Sequence, residues 1–243
     1  MSHPVVTRAE KLIGAGDIVG AEAALTSLIE TDGDNALVVA LDDLAAKDLL
    51  AVLREHDSSK ESVVGLLVSP EQFARAIVLE RRYGDAGNER LRAVINAVVF
   101  RDDSEPGEFL EAIGAIDEGC ETLADYLSDR ADSVEYFFRT GTFGYFDDGD
   151  DAGAELSDEE RLDELSDPDA NRPFVNHSEV SDQDWMQLSW TLRYQHPEIF
   201  RDVLLILRAR ARADGSGDAG DGTAGRANEQ RRAPGEPEEE SAL

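Results

Sequence analysis

Lysine is almost missing from this chain: Lys11, Lys47 and Lys60 stand against 20 arginines. Cysteine is scarcer still, since Cys120 is alone, and one thiol excludes an intramolecular disulfide. With no histidine near it in sequence, Cys120 reads as a small buried apolar residue rather than a nucleophile. The four histidines, His3, His56, His177 and His196, are scattered without an H-x-x-x-H pair, which gives no zinc site. Long apolar runs are also lacking. The longest, 63–68 and 203–207, fall far short of the roughly 20 residues that a bilayer span needs, and the first ten residues show no basic region followed by an apolar stretch. These absences lead us to expect a soluble cytoplasmic protein. Neither a P-loop, a G-x-S-x-G elbow nor a kinase signature is present. Gly215-Ser216-Gly217-Asp218-Ala219-Gly220 matches G-x-G-x-x-G in letters only, because no strand feeds it. We therefore expect no catalytic residue and no cofactor.

What the chain has in excess is acid: 53 Asp and Glu, and a formal net charge of −30. Such a surface repels itself at ordinary ionic strength, whereas in molar salt the Debye length falls to about 3 Å and the repulsion is screened. The composition resembles that of salt-in haloarchaea and places the chain in the cytoplasm of an extreme halophile. Acidic pairs such as Asp42-Asp43 and Asp102-Asp103 are expected from this composition and carry no acid–base chemistry of their own.

Apolar residues recur at helical spacing from Thr7 to about Arg139, with helix-start chemistry between the segments and few strand signals. The β-branched stretch 94–100 fits a helix at least as well as a strand. Ser69-Pro70-Glu71-Gln72 is the clearest start, a capping Ser, Pro at the first helical position and Gln reaching back. Ser58 with Glu61 and Thr7 with Glu10 repeat that logic. Ala9, Leu12, Ala21, Ala24, Leu25 and Leu28 place small and apolar residues where two antiparallel helices would touch, with Gly16 at the turn. This first hairpin resembles a tetratricopeptide-type unit over about 35 residues, with no second copy at that period. Further helical stretches at 44–53, 73–79, 91–100 and 109–116 follow at intervals of about 18 residues and can stack as an irregular α-solenoid or close as a bundle.

Tyr136, Phe137, Phe138, Phe143, Tyr145 and Phe146 then crowd into eleven residues. Such a cluster either closes one end of the core or anchors a partner. Residues 147–169 hold twelve acidic side chains against Arg161 and read as part of an acidic flexible linker, 147–172. Within it Asp148, Asp150 and Glu159 partly match a calcium loop, with Ala152 where a ligand is needed. Both tryptophans lie in a C-terminal helical pair, 173–213: Ser181 and Asp184 open a helix carrying Trp185 and Trp190, and Pro197 opens a second that ends in Arg208, Arg210 and Arg212. The tail 214–243 is rich in Gly, Ala, Glu and Pro and is expected to be disordered.

The expected fold is thus all-α: an irregular helical array (1–146), the linker, the helical pair and the tail. The expected function is non-catalytic, through contact with an unidentified protein partner, as adaptor, regulator or dedicated chaperone. Phe137, Phe138, Phe143, Tyr145, Trp185, Trp190 and Phe200 are the residues expected to join the two ordered pieces or to form the binding face. The alternatives are a nucleic-acid-associated regulator using Arg208, Arg210 and Arg212, which a continuous basic face shared with Arg81, Arg82, Arg90 and Arg92 would favour and their dispersal among carboxylates would oppose, and an enzyme whose site has no motif. No metal and no membrane contact are expected.

Overall fold

A computed structural model describes residues 3–55, 62–83, 88–101, 103–144, 157–180 and 184–218. Among them every regular element is helical, and the chain is an all-α helical array. It divides into two compact units, Met1–Leu207 and Arg208–Leu243.

The first unit opens with helices α1 (Pro4–Gly14), α2 (Ile18–Asp32), α3 (Asp34–Asp43), α4 (Ala46–Glu55), α5 (Val63–Leu67), α6 (Pro70–Tyr83), α7 (Glu89–Val99) and α8 (Pro106–Gly114). Their neighbours follow a simple rule. The even-numbered helices touch in succession, α2 with α4, α4 with α6 and α6 with α8, while α1, α3, α5 and α7 form a second row by the same order. That is the pairing of stacked helical hairpins, each burying its apolar face against the next. The α1–α2 hairpin turns at Gly16, as its sequence implies, with φ at +82°.

Local start signals hold where they are strongest. At Ser69 the backbone N–H donates to Gln72 Oε1 (3.0 Å) and the Gln72 N–H donates to Ser69 Oγ (3.3 Å), a reciprocal capping box. Gln72 also reaches out of its helix, its Nε2 donating to Val38 O and Asp42 Oδ1, so one side chain caps α6 and ties it to α3. At the N-terminus the start lies earlier than the Thr7–Glu10 pair suggests. Pro4 occupies the first turn and His3 Nδ1 accepts from the Val5 N–H, which begins α1 a full turn upstream. The Ser58 start lies outside the described residues.

Beyond α8 come α9 (Gly119–Leu127), a 3-10 turn at Ser128–Arg130, α10 (Ala131–Thr140), α11 (Asp158–Glu164), α12 (Asp184–Gln195) and α13 (Pro197–Asp218). Helix α11 lies in the acidic segment and carries a full capping box between Ser157 and Glu160. Leu165, just after it, is buried in the same core cluster as Val6, Leu25, Phe137 and Leu207. Helix α12 lies on α8. Two glycines of α8, seven residues apart, permit close approach of this and the next helix: a Cβ on Gly107 would lie 2.4 Å from Gln195 Oε1 of α12, and one on Gly114 would lie 2.5 Å from Ile199 Cδ1 of α13.

The second unit is described only from Arg208 to Asp218, all of it helical as the end of α13. Helical backbone therefore runs five residues past Ala213, where the disordered tail was expected to begin; 219–243 lie outside the described residues.

Candidate functional site

The C-terminal end of α10 is the centre around which the aromatic residues gather. A helix end leaves its last four carbonyls without intrahelical donors, and here those carbonyls collect donors from distant parts of the chain. The Gly141 N–H, in the left-handed region at φ +74°, donates to Phe137 O. Arg193 of α12 sends Nη1 to Phe137 O and to Phe138 O (3.1 Å), and Arg161 of α11 sends Nη1 to Arg139 O (2.9 Å). Cations at this pole also match the helix macrodipole. The Arg193 guanidinium lies 5.0 Å from the Phe137 ring centroid and 5.4 Å from that of Tyr194, and its Nε donates to Asn171 Oδ1. Burial lowers its pKa from the usual arginine value. Asn171 returns the contact by donating from Nδ2 to Arg193 O (2.8 Å) and Leu165 O (3.1 Å), which lashes the irregular segment 165–180 to α12.

Phe137 is fully buried, stacked on Phe143 at 4.0 Å between centroids and edge-on to Phe200 at 6.3 Å. Trp185 meets Phe143 edge-on at 5.5 Å and lies under the Arg130 guanidinium. Phe138 and Phe200 are buried as well, so these three phenylalanines join elements inside the fold and present nothing to solvent. Phe143, Trp185 and Trp190 are half-buried. Tyr145 lies outside the described residues.

The outer side of this joint is different. Trp190 is held by its indole N–H, which donates to Val175 O at 2.8 Å, with the His177 ring edge-on at 4.9 Å. Next to it in the chain, Phe174 is 76% exposed, its ring lying 2.7 Å from where a Cβ on Gly141 would sit. Beside Trp190 opens a cleft of about 320 Å³ walled by Leu165, Pro168, Pro173, Trp190, Tyr194 and Pro197. Its polar lining is Ser166, Asn171 and Gln195. In a chain that is 31% charged, none of the residues lining this cleft carries a charge.

A larger groove, about 660 Å³, lies between α6 and α8. It gathers Glu71, Glu108, Glu111 and Arg75 around Ala112 and Ile116, with neither histidine nor cysteine. Cys120 is half-buried, not fully buried as its sequence context implies, and burial together with Asp202 and Glu121 pushes its thiol up to about 11, so it stays protonated near neutrality. Glu159 is exposed on α11, whereas Asp148 and Asp150 lie outside the described residues. Among the described residues no group of three or more His, Cys, Asp or Glu is placed to hold a metal ion, and no helix is long and apolar enough to cross a membrane.

Of the arginines that a continuous basic face would share, Arg81, Arg82 and Arg92 are interleaved with acid. Arg81 reaches Glu118 and Asp125, Arg82 makes a two-point contact with Glu118, and Arg92 reaches Asp129 at 2.6 Å. The hydrogen bonds from Arg82 and Arg92 hold the Glu118 and Asp129 carboxyls below the usual carboxylate range. Arg208 and Arg210 are half-buried and Arg212 is exposed, all on the final part of α13 in the second unit.

Arg193, Asn171 and Phe174 escape a reading of the sequence. Arg193 is one polar position in an otherwise helical apolar pattern, and its only signal is the neighbouring aromatics; Asn171 and Phe174 lie in a segment without periodicity. Comparison with protein-family models, curated proteins and solved structures finds no match to this chain.

Proposed function

We propose that this protein works by binding another protein, as an adaptor, regulator or dedicated chaperone, in the salt-rich cytoplasm of a halophilic archaeon. The observation that carries the reading is Phe174, a large apolar side chain 76% exposed, adjacent in the chain to Val175, whose carbonyl holds the half-buried Trp190. Isolated exposed apolar residues are ordinary, but an exposed ring on top of an aromatic cluster has the composition of a binding hot spot. The rigid support beneath it, from Gly141, Arg193 and Asn171, lowers the entropy lost when a partner closes over the ring. The net charge of −30 supports the saline setting.

Affinity purification of the tagged chain in molar KCl tests the reading. A protein recovered in stoichiometric amount with the wild type and lost with Phe174→Ser is the expected result. Recovery of nuclease-sensitive material in its place, or of an equal amount of partner with Phe174→Ser, contradicts it.

A further inference from the structure

Resting on the protein-binding reading, we infer that the 320 Å³ cleft beside Trp190 receives an extended, proline-centred segment of the partner, flanked by basic residues. Three features select this occupant. First, the walls are rings: Trp190 and Tyr194, 5.1 Å apart between centroids and inclined at 62°, face a lining that includes Pro168, Pro173 and Pro197. Grooves lined by aromatic rings hold polyproline II segments, which have no internal hydrogen bonds to break and lose little entropy on docking. Second, the lining is uncharged, in contrast with the α6–α8 groove and its three glutamates, so a charged side chain entering the cleft would be desolvated without a counter-charge. Third, acid outnumbers base beside the lining: Glu164, Asp167, Asp169 and Glu198 are exposed there, against the exposed Arg172, which pairs with Asp169 at 2.8 Å, and the half-buried Arg193. At contact distance, the one range that molar salt leaves unscreened, this excess of acid complements arginine or lysine on either side of the prolines.

The walls are also fixed before any ligand arrives. Asn171 is committed to Leu165 O and Arg193 O, the Trp190 indole to Val175 O, and Ser166 Oγ donates to Glu198 Oε1 at 2.6 Å. A preset cleft about 320 Å³ in volume stands at the small end of ligand sites, room for the apolar face of a few residues of chain.

The test uses the full-length protein immobilised in molar KCl and a random decapeptide library displayed on phage. Enrichment of peptides with two prolines on one polyproline face and basic flanks, with affinity reduced about tenfold or more by Pro168→Glu, is expected. Pro168 is exposed, so this variant places a charge in the cleft without disturbing the core; Trp190→Phe, which keeps the ring but removes the indole, gives a second and smaller loss. Enrichment of peptides without proline, absence of any enrichment, or proline peptides that bind Pro168→Glu as tightly as wild type overturns the inference. The broader reading fails separately. A partner whose recovery depends on Phe174, with no proline peptide selected, leaves protein binding standing and removes the cleft; proline peptides with no protein recovered do the reverse.

Discussion

The stack of α1 to α4 and the joint around α10 and α12 solve the same problem with different chemistry. In the stack the buried side chains are aliphatic and small, Val6, Ala9, Ala21, Leu25, Leu37 and Leu41 among them, and neighbouring helices are close in sequence. In the joint the buried phenylalanines Phe137, Phe138 and Phe200 join aliphatic Val134, Leu188 and Leu192, and the hydrogen bonds that fasten them span long stretches of chain, from Arg193 to Phe137 and from Arg161 to Arg139. An aliphatic surface is non-directional and tolerates sliding. A guanidinium whose Nη1 bridges two carbonyls while its Nε holds Asn171 fixes position and angle in the part of the molecule that leaves the Phe174 ring exposed.

The contrast breaks most visibly at Phe137. Phe137→Ala removes the ring that Phe143, Phe200, Tyr194 and Arg193 all contact, and costs about 4 kcal/mol by the usual range for buried phenylalanine, read as a lowered urea midpoint in molar KCl. A smaller but more diagnostic comparison sets Arg193→Leu against Ser69→Ala. The first keeps apolar volume and strips donors from the end of α10, at a cost of about 2 kcal/mol; the second removes one cap from α6, whose capping is local, at about 1 kcal/mol. If Ser69→Ala proves the more costly, the joint does not have the rigidity argued for it. Smallest of all, Phe174→Ser changes the unfolding midpoint by less than about 0.5 kcal/mol, since an exposed ring adds little to the core. That near-neutrality makes it the better probe of binding. Ending the chain before α12 would instead strip Leu188, Leu192, Phe200 and Leu204 from the core and confuse loss of partner with loss of fold.

The two regions also differ in how far their sequence betrays them. The stack is legible because its information is local: the Ser69–Gln72 box, Gly16 at a turn and apolar residues at helical spacing each predict their own few residues. The short helices α3 and α9 are read as helical only as part of the run from Thr7 to Arg139, without bounds of their own. In the joint, crowding of aromatics announces a buried cluster, and Phe137, Phe143, Trp185 and Phe200 do meet. What joins them is not local. Nothing near Arg193 in sequence reveals that it caps a helix more than fifty residues upstream, and nothing near Phe174 reveals that Gly141 lies beneath it. A binding face, unlike a helix start, is defined by which rings the rest of the fold leaves uncovered.

Hydrogen–deuterium exchange of the chain alone and with its co-purified partner, both in molar KCl, tests the central claim most directly. The account predicts slowed exchange across 171–180, where the backbone amides of Asn176, Glu179 and Val180 are the reporters, with α1 to α4 unchanged. Protection appearing in α1 to α4 while 171–180 exchanges as in the free chain would contradict it.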